Sequence, residues 1–230
     1  MIFGRSIDSV TSQLSGRWIL VDNFVQAFND HRDFMFVPSS FICADESISR
    51  SYGQGVHWIN MGLPMYTAID QNPENVCEIQ KSACGRSGVV LRIRLTKTAD
   101  ERDTEHKNEG DDGLIHITKV LKTLVAPWTN TNRIVCADSY FASVGLCEEL
   151  EIFGLRFIGV VKMAKKRSPM AHLSQVKLVN KGYFSNLVCR DLSGNPIFLS
   201  FVWMDRERRY FISSVSSLQE ETPYTRKRWR

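Results

Sequence analysis

Two aspartates, Asp45 and Asp138, each follow directly after a run of small and apolar residues that is typical of a buried strand. If these strands lie side by side in one sheet, we expect the two carboxylates within about 8 Å of each other, close enough to share a metal cluster. Carboxylate oxygens are the preferred ligands of Mg²⁺, and a pair of such ions stabilises the entering and leaving oxygens of a phosphoryl displacement. From the residues alone, Asp45 and Asp138 are therefore candidate ligands of a metal site.

An aspartate at the end of a strand also has a common structural role, because its side chain caps a turn or the helix that follows. From strand-end placement alone, this reading of Asp45 and Asp138 stays open. Glu46 is the neighbouring carboxylate, but successive strand residues point to opposite faces of a sheet. We therefore expect Glu46 to point away from Asp45.

Cysteines stand two positions before each aspartate, at Cys43 and Cys136. Soft thiolate is a poor ligand for Mg²⁺, so we interpret both as small strand residues. None of the six cysteines forms a CxxC pair, and none has histidines at zinc-finger spacing. Free, buried thiols in a reducing, intracellular compartment are the better interpretation. The six are Cys43, Cys77, Cys84, Cys136, Cys147 and Cys189.

The elements before the second aspartate begin with a helix, predicted by apolar residues at helical spacing from Trp18 to Phe28. The strand that ends at Asp45 follows it. Further strands and a glycine-containing turn then precede an acidic segment at 99–113, which we predict to be a solvated loop. The predicted strands are Met65–Ile69, Val76–Ile79 and Val89–Leu95, with the turn at Ala83–Gly88.

Around the second aspartate, the sequence alternates between helical and strand patterns. We predict a helix over Leu114–Leu124, a strand over Arg133–Ala137, a helix over Ser143–Phe153 and a strand over Phe157–Val161. The order of three strands, helix, strand, helix, strand is that of an α/β fold with an RNase H-like mixed sheet flanked by helices. Other α/β domains share this order, so it is weak evidence alone.

The last part of the chain has a different pattern. Three strand candidates joined by turn residues predict a β-rich C-terminal addition to the core. These candidates are Phe184–Arg190, Ile197–Met204 and Tyr210–Val215. We divide the chain into a loosely ordered N-terminus (1–16), an RNase H-like core (17–169), a β-rich segment (170–217) and a basic tail (218–230).

With these residues in view, the chain resembles the piggyBac transposase family from about Trp18 to Val215. The resemblance rests on FICADESISR, on GLPMYTAIDQNPENVCEIQ and above all on RIVCADSYFASVGLCEELEIFGLRFIGVVK. In that family, an Asp-Glu pair ends the first core strand, and a later strand ends in Asp followed by an aromatic pair and Ser. Asp45-Glu46 and the segment from Asp138 to Ser143 match these two places, and the second match is the more specific.

The resemblance implies an RNase H-like fold, three catalytic aspartates with divalent metal, and cut-and-paste movement of DNA through hairpin ends at TTAA targets. By resemblance, Asp45 and Asp138 are the first two of these catalytic aspartates, and they bind the divalent metal, Mg²⁺ or Mn²⁺. The family's third aspartate lies beyond the β-rich region, and we expect it, with the cysteine-rich finger that follows, to fall after Arg230. A site without one of three ligands is expected to be catalytically incomplete.

Basic residues form clusters that favour DNA as the partner. The formal net charge is +4, and the acidic loop leaves the rest of the chain more basic than that value. Lys and Arg at this density neutralise phosphates and produce salt-dependent binding, although a solvated charged face is an equally good interpretation of any single cluster. Another three arginines, Arg206, Arg208 and Arg209, fall in a predicted hairpin turn. The predicted DNA-binding residues are Lys162, Lys165, Lys166, Arg167, Arg226, Lys227, Arg228 and Arg230.

Composition excludes some classes and leaves others open. No apolar run approaches the roughly 18–20 residues of a bilayer span, so we expect no membrane. The basic clusters also suit a nuclear address, so we expect nuclear localisation. The leading hypothesis is a transposase-derived catalytic core that binds DNA, with a homodimer as a possible assembly. The alternative is a domesticated DNA-binding or protein-interaction module without chemistry.

Overall fold

The computed structural model of this chain describes residues 19–50, 66–67, 77–85, 88–96, 114–162 and 167–215. Within these ranges the helices are α1 (Ile19–Met35), α2 (His116–Val125), α3 (Val144–Ile152) and α4 (Met170–Gln175), with a 3₁₀ turn at Ala126–Trp128. The strands are β1 (Phe41–Arg50), β2 (Tyr66–Thr67), β3 (Cys77–Gly85), β4 (Val90–Leu95), β5 (Ile134–Ala137), β6 (Arg156–Val161), β7 (Phe184–Arg190), β8 (Pro196–Met204) and β9 (Arg208–Ser213).

The described strands form one nine-stranded mixed sheet in the order β2-β3-β1-β5-β6-β9-β8-β7, with β4 also paired to β3. Parallel pairing joins β1 to β5 and β5 to β6 at the centre of the sheet. The pairs outside this centre are antiparallel. Since parallel strands end at the same edge, the residues that follow β5 and β6 can meet there, beside the part of β1 that extends past β5.

Two strands run further than predicted. The turn expected at Ala83–Gly88 is wrong over its first part, because β3 continues through Gly85 and pairs with β1 up to Ile42. The strand β1 in turn continues past Asp45 to Arg50 along the same ladder. Pairing between segments far apart in sequence outweighs the local turn preference of glycine here.

The sheet has one buried face. Strand residues on this face, including Ile42, Val135, Phe157 and Ile212, are fully buried and belong to the hydrophobic core. The same core contains helix residues Leu121, Leu124, Leu146 and Leu150. Side chains alternate along a strand, so the intervening residues lie on the opposite face, called the open face below. The open face is the side of the sheet that carries Cys43, Asp45, Cys136 and Ile158, and these four side chains are exposed or half-buried.

The three strands predicted as a β-rich addition continue the same sheet. The last of them, β9, pairs antiparallel with β6, and β8 and β7 follow outward. The short helix α4 was not predicted, and it contacts β8. There the Arg208 side chain donates a hydrogen bond to the Ser174 carbonyl. In the described ranges, none of the helices has the length and apolar character needed to cross a membrane.

Candidate functional site

The candidate site lies where β1 and β5 run side by side in parallel. The pairing register matches Cys43 with Cys136 and Ala44 with Ala137. One step further along both chains brings Asp45 level with Asp138, on backbones that neighbouring strands hold about 4.8 Å apart. Alternation along β1 puts Asp45 on the open face, Asp138 is the residue that follows β5, and both side chains are exposed. Residues 93 positions apart in sequence are thus neighbours in the sheet.

Asp45 is held within the long strand β1, between β3 and β5. Its Oδ1 accepts a hydrogen bond from the backbone N–H of Glu46 at 2.8 Å. Glu46 itself is half-buried and follows Asp45 in the strand, so its side chain points to the opposite face, as alternation requires. The backbone on both sides of Asp45 is therefore fixed by ladder hydrogen bonds, which restricts where its carboxylate can reach.

Asp138 begins the turn that joins β5 to α3. Its Oδ1 accepts a hydrogen bond from the Tyr140 N–H at 2.9 Å, and its carbonyl accepts one from the Ala142 N–H at 3.0 Å. The helix then starts with Ser143 as the N-cap, whose Oγ accepts from the Leu146 N–H at 3.1 Å. The turn-capping role considered for this aspartate is therefore present, and it uses one of the two carboxylate oxygens.

The turn after Asp138 is anchored by packing beneath it. Phe141 is 1% exposed and Ala142 is fully buried. They fit because the facing position on β6 is Gly159, the register partner of Ala137. A Cβ atom at Gly159 would lie 2.9 Å from the Ala142 Cβ and 3.0 Å from the Ala137 carbonyl oxygen. Because Gly159 has no side chain, the turn that holds Asp138 can pack closely against β6.

The donor set of the site suits a hard cation in part. Two exposed carboxylates, one within β1 and one directly after β5, provide the oxygen ligands that Mg²⁺ or Mn²⁺ prefers, and Oδ2 of Asp138 has no hydrogen-bond partner among the described residues. No group of three or more His, Cys, Asp or Glu side chains able to hold a metal ion occurs in the part of the chain that the structure describes. The site as described therefore offers two carboxylate ligands, Asp45 and Asp138.

Cys43 and Cys136, which precede the two aspartates in β1 and β5, differ from them chemically. Cys43 is exposed and Cys136 is half-buried, so the prediction of buried thiols is wrong for Cys43, which lies on the open face of the sheet. Burial, together with the adjacent Cys43 side chain, raises the pKa of the Cys136 thiol to about 11. Cys136 is therefore protonated at neutral pH and is not disposed to bind a metal ion as a thiolate.

Lys162 is the predicted DNA-binding residue that the structure places nearest to the aspartates. It follows the last residue of β6, and β6 runs parallel to β5, so it leaves the sheet at the same edge as Asp138. Alternation from Ile158 through Val160 puts Lys162 on the open face, and its side chain is exposed. Arg209 lies one step beyond the β6–β9 pair Val161–Tyr210, which brings a second cation to this edge.

The other predicted cations divide into two groups. Arg167 donates two hydrogen bonds to the carboxylate of Glu148, at 2.9 and 2.6 Å, so its charge is paired within the chain. Arg209 likewise forms an ion pair with Glu207 at 2.5 Å. Six predicted DNA-binding residues lie outside the described residues: Lys165, Lys166, Arg226, Lys227, Arg228 and Arg230.

Two residues that matter for the site were not singled out from the sequence. Gly159 had a usable signal, because a lone glycine inside an apolar strand often marks a close approach of another backbone. Tyr140, which orients the Asp138 carboxylate through its N–H, was noted only as part of the aromatic pair after Asp138. Its ring packs edge-on against Phe141 with 5.1 Å between centroids.

Comparisons with known proteins bear on both the family and the fold. A family model described as Transposase IS4 matches residues 16–230. Among solved structures, the chain is similar to piggyBac transposase in a synaptic complex with hairpin DNA, determined by cryo-EM, with a TM-score of 0.64 and 15% sequence identity over 93% of this chain. The chain spans 39% of the length of that protein. The curated proteins provide no match. The structural similarity confirms the predicted mixed sheet flanked by helices.

Proposed function

We propose that this chain, which belongs to the Transposase IS4 family, supplies two metal-binding carboxylates and a DNA-contacting edge to the catalytic core of a DNA transposase. The piggyBac-type resemblance read from the sequence is confirmed, by the family model for the sequence and by piggyBac transposase for the fold. The catalytic roles of individual residues are part of the proposal.

The observation that supports this function best is the register of β1 and β5, which makes Asp45 and Asp138 neighbours on one face. We assign both residues as ligands of Mg²⁺ or Mn²⁺, which when bound would stabilise negative charge on the reacting phosphate oxygens. The chain's own contribution is positioning. Asp45 is fixed by the ladders of β1, and Asp138 is oriented by the N–H of Tyr140 above the Gly159 contact.

The proposed partner is DNA, recognised mainly through its phosphates. Lys162 is exposed at the edge that carries the aspartates, where a backbone phosphate brought to Asp45 and Asp138 would meet its charge. Piggybac transposase, to which the fold is similar, was solved with hairpin DNA. For the present chain, we propose transposon ends and TTAA-type targets as the DNA. We also propose a homodimer as the assembly and the nucleus as its location.

We propose that this chain alone does not complete the catalytic site. A displacement assisted by two metal ions depends on both being bound, and the described residues offer two carboxylates for them. The chain is then expected to bind a divalent ion weakly and to need a further ligand for cleavage and strand transfer.

The test is a titration of the purified chain with Mn²⁺, followed by electron paramagnetic resonance of the free ion. We expect one weak site in the parent chain, with affinity reduced at least about tenfold in Asp45→Asn and in Asp138→Asn, because each loses a charged ligand. Asp30→Asn, an exposed carboxylate on α1, is the matched control and should bind like the parent. Equal Mn²⁺ affinity in the parent and both site variants would refute the metal assignment and favour a domesticated module without chemistry.

A further inference from the structure

Three cysteines form a row across the centre of the sheet. The register of β1 matches Cys43 with Cys84 on β3 and, on the other side, with Cys136 on β5. Cys43 is therefore the middle member of the row. It lies two positions before Asp45, and Cys136 lies two positions before Asp138.

The thiols of Cys43 and Cys136 share the open face and approach each other. They are register partners on parallel strands, so their side chains point to the same side, and the Cys136 thiol is within hydrogen-bonding reach of Cys43. Cys43 is exposed to solvent and Cys136 is half-buried beside it. An oxidant in solution can therefore reach the first thiol, and the second lies directly adjacent.

The spacing of the two strands permits a covalent bond between them. Neighbouring strands hold paired Cα atoms about 4.8 Å apart, within the roughly 4.4–6.8 Å that a disulfide spans. Cys84 is also a register partner of Cys43, so the experiment below must distinguish the two pairings, whereas Cys147 and Cys189 are not placed for this. Cys147 is buried in α3, and Cys189 lies on β7, separated from β5 by three intervening strands.

We propose that Cys43 and Cys136 are a reversible oxidation site, which a low-molecular-weight disulfide such as glutathione disulfide converts to a disulfide across β1 and β5. The Cys43 sulfur attacks one sulfur of glutathione disulfide, forming a mixed disulfide and releasing one glutathione. The Cys136 sulfur then attacks the Cys43 sulfur and releases the second glutathione. The chain loses two electrons and two protons, and glutathione disulfide gains both.

The second step is intramolecular, and the adjacent positions of the two thiols on β1 and β5 favour it. The bond would join the two strands just before the aspartates. This inference stands apart from the proposed function, because it concerns thiol chemistry that needs neither metal nor DNA.

The experiment incubates the folded full chain with glutathione disulfide, blocks remaining thiols with N-ethylmaleimide, and maps the peptides without reduction. Trypsin combined with Asp-N places Cys43 on 33–44, Cys84 on 82–86 and Cys136 on 134–137, apart from Cys147. We expect a linked peptide joining 33–44 to 134–137, lighter by two hydrogen atoms than its parts and separated again by dithiothreitol. The link should be absent from Cys43→Ser and Cys136→Ser and present in the control Cys189→Ser.

Three results would overturn the proposal. They are a link from Cys43 to Cys84, a glutathione adduct that persists on Cys43, and a disulfide between two chains. Circular dichroism of each variant checks that it is folded. The parent chain oxidised in denaturant supplies a second measurement, because an unfolded chain should give mixed pairings and the folded chain a single one.

Discussion

The side-chain amide of Asn29 completes both backbone hydrogen bonds of Ile93. Its Oδ1 accepts from the Ile93 N–H at 2.9 Å, and its Nδ2 donates to the Ile93 carbonyl at 3.0 Å. Asn29 belongs to α1 and is 6% exposed, whereas Ile93 belongs to β4. The amide thus forms the two hydrogen bonds that a neighbouring strand would form with Ile93. It satisfies backbone groups that could otherwise pair with a strand of another chain.

We expect Asn29→Leu to destabilise the chain by about 1–3 kcal/mol, because it leaves a buried N–H and a carbonyl of β4 without partners. Asn23→Leu, at an exposed position of the same helix, is the control and should change stability little. Urea unfolding followed by tryptophan fluorescence measures the difference, with light scattering to detect association through the freed edge. Equal midpoints for the two variants would show that the amide contributes nothing to stability.

Alanine substitutions of two glycines, Gly145 in α3 and Gly159 in β6, should have opposite effects on stability. A Cβ atom at Gly159 would press against Phe157, Ala142 and the Ala137 carbonyl, whereas one at Gly145 meets nothing within 4 Å. We expect Gly159→Ala to cost about 1–3 kcal/mol through overpacking. Gly145→Ala should stabilise the chain by roughly 0.5–1 kcal/mol, because alanine favours a helix over glycine.

The same pair tests whether Gly159 positions the metal site. Displacement of the Ala142 turn should move Asp138, so we expect weaker Mn²⁺ binding in Gly159→Ala and unchanged binding in Gly145→Ala at a temperature where both are folded. If Gly159→Ala is destabilised but binds Mn²⁺ with unchanged affinity, Gly159 contributes to packing and does not position Asp138.

DNA binding should depend on salt and on Lys162. We expect weak affinity for duplex DNA that falls steeply between 50 and 200 mM salt, as phosphate contacts require. Lys162→Gln should lower the affinity and reduce the slope of log K against log salt by about 1. Lys177→Gln removes an equal charge from another exposed position and serves as the control. Fluorescence anisotropy with labelled duplexes gives both values, and no binding at 50 mM salt would exclude DNA as the partner.

The purified chain should not nick or join DNA that carries terminal inverted repeats and a TTAA flank, with either Mg²⁺ or Mn²⁺. Each ~1.4 kcal/mol of lost transition-state stabilisation slows the reaction tenfold, and a missing metal ion removes several such increments. Gel analysis of the products, with Asp138→Asn in parallel, is the measurement. Nicking by the parent chain that disappears in Asp138→Asn would show that the two described carboxylates suffice.

The two aspartates could be predicted from the sequence because each follows a short apolar run, which is a local signal. Their adjacency followed from fold order and was within reach of prediction. The extension of β3 through Gly85 was not, since glycine has a turn preference and only the distant β1 overrides it. Asn29 was also beyond prediction, because an asparagine in a helix gives no indication that its partner is a backbone group in β4.

The central parallel pairing has a consequence for biosynthesis. The chain emerges from the ribosome at about 5–20 residues per second, so the roughly 100 residues between the first aspartate and the second take on the order of 5–20 s to appear. Until then β1 has no β5 to pair with, and contacts so distant in sequence close slowly. The site that contains Asp45 and Asp138 is thus among the late products of folding, and a nascent chain that stalls before Asp138 presents β1 without its parallel partner.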